Sequence, residues 1–149
     1  MNGVLQVLVA RTEDNARLPN KGSEYAAGWD LYALEDSVVP FRKSVKLRTG
    51  IIVAIPDGYE GQVRARSSLG SKGLILPHSI GTIDADYRGE LFVLMTWIGE
   101  GDSYTVKAGE RIAQLLISPI PEVRFDEVSV EDLGDTKRGT GGFGSTGRF

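Results

Sequence analysis

An all-β fold of sandwich, jelly-roll or barrel type is what this sequence predicts, and three observations carry that expectation. Short runs rich in Val, Ile, Leu, Tyr and Thr recur along the chain. Clusters of Gly, Pro, Asp and Asn separate them. No stretch keeps an apolar period of about 3.6 residues through three turns, so helix should be scarce. At 149 residues the chain has room for one core, and its 41% hydrophobic and 25% charged content is that of a globular chain, so most of it should fold.

Taken in order, Val4, Leu5, Val7, Leu8 and Val9 predict a first strand, followed by a surface loop over 11–24. Further strands are predicted over 30–33, 46–55, 61–66, 91–98, 103–106, 111–118 and 123–128. The breaks fall at Pro40, at Pro56-Asp57-Gly58, at Gly99 to Asp102, at Lys107-Ala108-Gly109 and at Pro119 with Pro121. One short helical turn is predicted over 67–72, capped by Ser67 or Ser68 and ended before Gly73. The run 91–98 is apolar on both faces except at Thr96, which places it between two layers or against another subunit. A homo-oligomer is therefore expected.

A net charge of −3 gives no general attraction to nucleic acid or to an anionic membrane, so an anionic ligand must be held by local positive groups. The absence of cysteine excludes disulfides and thiolate metal sites, and a single histidine, His78, does not make an imidazole site. Any metal is expected to be a hard ion bound through oxygens, and no protein ligand set is assigned to one. The N-terminus shows no basic leader and no apolar run reaches the ~20 residues of a membrane helix, so a cytoplasmic location is the expectation.

Five stretches carry chemistry. Residues 81–90 read Gly-Thr-Ile-Asp-Ala-Asp-Tyr-Arg-Gly-Glu, a hairpin in which Asp84 and Asp86 share a face if extended and diverge at a turn; a solvated turn is the plain alternative. Arg64, Arg66, Ser67, Ser68 and Lys72 combine guanidinium, hydroxyl and helix-start amides into an oxyanion holder, or simply an N-cap beside exposed arginines. Gln114 lies in an apolar strand and needs a partner there, either backbone or a phosphate oxygen. Asp30 follows the small residues Ala26, Ala27 and Gly28, which permit close packing, and can hold a basic partner. The tail from Gly134 is glycine-rich. Its G-x-G-x-x-G match lacks a βαβ unit, so a dinucleotide fold is rejected, and a flexible linker is the plain reading. Arg138 and Phe143 nevertheless give it a group for phosphate and a ring for a planar base, the composition of a flap that closes over a nucleotide.

Together and in this order, AAGWDLYA, RARSSLGSKGL, GTIDADYRGEL, GERIAQLLISP and RGTGGFGSTG resemble the trimeric all-β dUTPases. The resemblance, which runs from about Ala26 to the C-terminus, implies a jelly-roll-like, β-clip subunit over 1–133 with a flexible arm over 134–149. It also implies a homotrimer with sites between subunits, and Mg²⁺-dependent cleavage of dUTP to dUMP and pyrophosphate. The ion would be held mainly by phosphate oxygens and water, and the reaction would limit uracil in DNA and supply dUMP for thymidylate synthesis.

By position, Asp84 matches the acid that activates water, and Tyr87 the ring that stacks on deoxyribose and excludes a 2′-hydroxyl. The backbone from His78 through Gly81, Thr82 and Ile83 matches the segment that reads uracil. Arg66, Ser67, Ser68 and Gln114 match phosphate-binding positions, with Asp30 as support. Arg138 and Phe143 match the closing arm, where Gly142, Gly144 and Ser145 allow close approach. Two positions depart from the family pattern: His78 stands where some bacterial members have Asn, and Ser68 replaces a frequent Gly. The nearest rival, a dCTP deaminase, would carry Pro-Gly-aromatic after the hairpin acid, whereas Ala85-Asp86-Tyr87 follows here. A non-enzymatic β-sandwich is the rival of a different class.

Overall fold

The computed structural model describes residues 3–149, and apart from two single turns their regular structure is β. In chain order the elements are β1 (Leu8–Arg11), β2 (Trp29–Tyr32), β3 (Ser37–Pro40), β4 (Ser44–Arg48), β5 (Ile51–Ala54) and β6 (Tyr59–Ala65). A helical turn, α1 (Ser67–Gly70), precedes β7 (Leu74–Ile75), β8 (Gly81–Ile83), β9 (Phe92–Trp97), β10 (Ser103–Val106), β11 (Arg111–Pro119) and a 3-10 turn, Val130–Leu133. Four antiparallel sheets result, ordered β2-β11-β6-β8, β4-β9-β7, β1-β5 and β10-β3. The arrangement is jelly-roll-like, as expected. Among the described residues no helix is long and apolar enough to cross a membrane.

Strand alternation builds the core. Leu31, Val63 and Leu115 turn inward from the largest sheet, and Leu47, Val93 and Met95 from the second. Ile51, Val53, Val39 and Val106 close the space between the smaller sheets. Each such side chain contributes roughly 1.5–3 kcal/mol by leaving water, offset largely by the ordering of the chain. In β11 a register shift between Arg111 and Ala113 leaves Ile112 unpaired with β2, and both Ile112 and Ala113 are buried. A bulge therefore interrupts the alternation of faces at this point of β11.

The structure corrects several expected boundaries. The single strand predicted over 46–55 is two, because Gly50 has φ +72 and the chain crosses there from the β4-β9 pairing to the β1-β5 pairing. A Cβ at Gly50 would lie 2.8 Å from both Ala16 Cβ and Leu34 Cδ1, while buried Thr49 donates its hydroxyl to the Leu91 carbonyl at 2.6 Å. The helical turn ends at Gly70, and its N-cap is Arg66 with no side-chain cap, so neither Ser67 nor Ser68 serves as one. The strand predicted over 123–128 is absent. Every residue from 121 to 140 is exposed, Phe125 at 94%, and this extended segment has no neighbouring strand with which to form a ladder.

Candidate active site

Three neighbouring strands assemble a positive cluster. The registers of β2, β11 and β6 align Asp30, Gln114 and Arg64 in one row across the sheet. The Asp30 carboxylate lies 3.8 Å from Arg66 Nε and 3.5 Å from Arg111 Nη1, and Arg66 Nη1 donates to the Arg111 carbonyl at 3.0 Å. One acid thus serves two guanidiniums, which leaves the cluster net positive beside the start of α1. Ser67 and Ser68 are exposed there, and the first amides of a helix have no i−4 carbonyl to bond. Gln114 donates its amide to the Ala65 carbonyl at 3.3 Å, so backbone is one partner of this strand amide. Gly28 is required beside it, because a Cβ there would overlap Gln114 Oε1.

The hairpin forms a second group. β8 lies against β6, and immediately beyond it the Tyr87 amide donates to the Asp84 carbonyl at 3.1 Å, closing a turn that leaves Asp84 and Asp86 exposed. Asp84 and Tyr87 line a cleft of about 190 Å³ together with Thr82, Ile83 and Glu90. The Tyr87 hydroxyl donates to the Glu90 carbonyl at 2.8 Å, across Gly89, where a Cβ would sit 2.6 Å from Tyr87 Cζ. Arg88 caps the turn through the Ala85 and Tyr87 carbonyls at 2.6 and 2.9 Å. Upstream, exposed His78 lies over Gly81, whose Cβ would be 3.2 Å from its Nε2, and Ser79 at φ 69 reverses the chain.

Residues that sequence reasoning passed over complete this group. Glu90 accepts Arg48 Nε at 3.1 Å, Arg48 Nη2 at 2.8 Å and the Thr12 hydroxyl at 3.1 Å. The Arg48 hydrogen bonds hold its carboxyl below the usual range against the opposing effect of burial. The last acid of a turn offers no local signal for this, since Arg48 lies 42 residues away.

The two groups stand apart. Ile83 pairs with Gly61 and Gly81 with Val63, so Asp84 falls near Glu60 while Arg66 lies beyond the other end of β6. At ~3.3 Å per residue that separation is about 20 Å, well beyond the length of a triphosphate. The tail joins neither group: Arg138 Nε donates to the Gly141 carbonyl at 2.7 Å, the Ser145 amide donates to the Gly142 carbonyl at 3.0 Å, and Phe143 is fully exposed with φ 50. Gly144 has φ +88, a conformation that suits glycine. One chain therefore presents three separated parts.

The jelly-roll-like β body thus carries an acid-and-aromatic hairpin and a guanidinium–amide cluster. The dUTPase family model matches residues 14–147. The deoxyuridine 5′-triphosphate nucleotidohydrolase of Zymomonas mobilis is 46% identical over 134 residues, covering 89% of this chain and 90% of that protein. The enzyme of the same name from Syntrophotalea carbinolica is 45% identical over 146 residues, covering 96% and 97%. Among solved structures, the G164S mutant of the Staphylococcus bacteriophage 80alpha dUTPase with dUpNHpp superposes with a TM-score of 0.84 at 29% identity, covering 97% of this chain and all of that one. The chain belongs to the dUTPase family, and it is an enzyme that hydrolyses dUTP.

Proposed function

We propose that Asp84 activates the water that attacks the α-phosphorus of dUTP, releasing dUMP and pyrophosphate, within a site shared between chains of a homotrimer. The observation that carries this is the placing of the halves: the hairpin acid and the phosphate-type cluster lie about 20 Å apart, near opposite ends of β6, so a single triphosphate meets both only when different chains supply them.

An ionised carboxylate with an ordinary pKa of roughly 3.9 accepts a hydrogen bond from water at neutral pH, so exposed Asp84 needs placement more than tuning. Opposite it, Arg66, the start of α1 with Ser67 and Ser68, and the Gln114 amide donate to phosphate oxygens, and Asp30 holds the Arg66 side chain in line. Tyr87 stacks on the deoxyribose and leaves no room for a 2′-hydroxyl. The backbone of Gly81, Thr82 and Ile83, with His78 beside it, pairs with the uracil edge. Such a site rejects cytosine by leaving hydrogen-bonding groups unpaired. The arm 134–149 closes over the bound nucleotide, Arg138 on the terminal phosphate and Phe143 over uracil, with Gly142, Gly144 and Ser145 permitting the approach.

Among the described residues no group of three His, Cys, Asp or Glu side chains lies together as a metal site. Mg²⁺ bound mainly through substrate oxygens and water would screen the triphosphate charge. The reaction keeps uracil out of DNA and supplies dUMP for thymidylate synthesis, in the cytoplasm. Pyrophosphate release measured across dUTP, dCTP, dTTP and UTP, with and without Mg²⁺, tests this reading. Strong preference for dUTP with Mg²⁺ is expected; ammonia release from dCTP would replace it with the deaminase reading.

A further inference from the structure

We propose that Arg48 is a positioning residue for sugar selection, acting on the Tyr87 ring through Glu90. The inference rests on the reading of Tyr87 as the sugar-facing group. Its own basis is that one residue, Glu90, is held by Arg48 through its carboxylate and holds the ring through its carbonyl. The Arg48 fork holds both carboxylate oxygens of Glu90, at 3.1 and 2.8 Å, in the bidentate geometry that fixes orientation as well as distance. Arg48 Nη2 also donates to Glu13 at 3.2 Å, and the pair with Glu90 is half-buried, since the Arg48 side chain is 34% exposed and that of Glu90 10%.

The same residue then turns its carbonyl to the Tyr87 hydroxyl at 2.8 Å. Next to it the Leu91 amide donates to the Ile51 carbonyl at 2.8 Å, which ties the return limb to β5 on the other side. Gly89 lets the ring pass over the backbone, and nothing else in the hairpin bonds the phenol. Arg48 sits on β4 opposite Phe92, so the anchor belongs to the rigid body rather than to the loop it steadies. Removing the guanidinium leaves the Thr12 hydroxyl on the Glu90 carboxylate and the Leu91–Ile51 bond on the return limb, so the Glu90 carbonyl is held less firmly where the ring edge ends. The ring keeps its stacking surface but loses a defined stop against a 2′-hydroxyl.

The test compares kcat/KM for dUTP with that for UTP in the full-length enzyme and in Arg48→Ala, Tyr87→Phe, their double variant, and Tyr87→Ala as reference. Tyr87→Ala is expected to collapse the ratio. Arg48→Ala and Tyr87→Phe should each lower it about three- to tenfold, with dUTP turnover largely kept in Arg48→Ala, and the double variant should fall no further than either single one. Should Arg48→Ala fold poorly, Thr12→Val and Arg48→Lys give graded losses of the same ratio. A clamp with a purely structural role lowers the melting temperature and leaves the ratio untouched, which overturns the inference. If Tyr87→Ala itself leaves the ratio unchanged, the sugar-facing reading of Tyr87 fails first and the inference falls with it.

Discussion

Gly28 on the approach to β2 lies directly against Gln114 of β11: a Cβ on Gly28 would overlap Gln114 Oε1 and come within 3.1 Å of Gln114 Cβ. The glycine is what lets a polar amide stay in this strand, its Oε1 against Gly28 and its Nε2 donating one hydrogen to the Ala65 carbonyl and keeping a second to donate. Gly28→Ala should displace that amide while leaving the sheet intact. KM for dUTP is expected to rise roughly tenfold, the order of one or two hydrogen bonds to a charged group, with a small change in melting temperature. An unchanged KM would show that Gln114 does not bind substrate.

Asp84→Asn retains shape and hydrogen bonding at the hairpin tip and removes the base. Binding of a non-hydrolysable dUTP analogue should persist, and kcat should fall by about 10²–10⁴. Calorimetry for affinity and single-turnover kinetics for chemistry separate the two effects, and a near-normal rate would remove Asp84 from the reaction.

The residues from 121 onward make no ladder with the body, and Arg138 and Phe143 bond only within the tail or not at all. Ending the chain before Arg138 should therefore leave the β body folded, with an unchanged far-UV spectrum, and should cut turnover by orders of magnitude. Full activity in the shortened chain would refute the closing role.

Acid should loosen the hairpin anchor. Glu90 has a depressed carboxyl pKa, so its contribution is complete above the ordinary value of 4.5 and is lost as pH falls through its lower folded value. Urea midpoints measured downward from about pH 6 should decline in this window, and Glu90→Gln should flatten that decline. The alkaline limb has a different origin: burial, then its bond to Glu110, pushes the Tyr104 hydroxyl up to about 12, so stability should drop as pH rises from 10 toward that value. Tyr104→Phe should blunt the alkaline loss and leave the acid limb alone.

Strands that alternate clearly are legible in the amino-acid sequence. The run 103–106 matches β10 fully, and 111–118 matches β11 but for its last residue, because alternation and turn residues are local properties. The break at Thr49-Gly50 has one local signal, the glycine itself, but that residue says nothing about a change of partner strand. The segment 123–128 shows the converse, a strand-like composition that pairs with nothing in its own chain. At the site, motif order picks out Arg66, Gln114 and Asp84, but only register places Gln114 opposite Arg64, two residues before Arg66, and Asp84 near the other end of β6. Arg48 is silent in the sequence because its partner is distant along the chain and its neighbours carry no motif.

If the site is shared between chains as proposed, the placing of its halves near opposite ends of β6 has a genetic consequence. In the proposed homotrimer, a chain lacking Arg66 and a chain lacking Asp84 would each be inert among their own kind, yet in a mixed ring one junction would bring together the sound half of each, while another would collect both lesions. Two dead alleles expressed together would then restore dUTP breakdown, and a single defective allele would poison some of the sites built by its healthy counterpart.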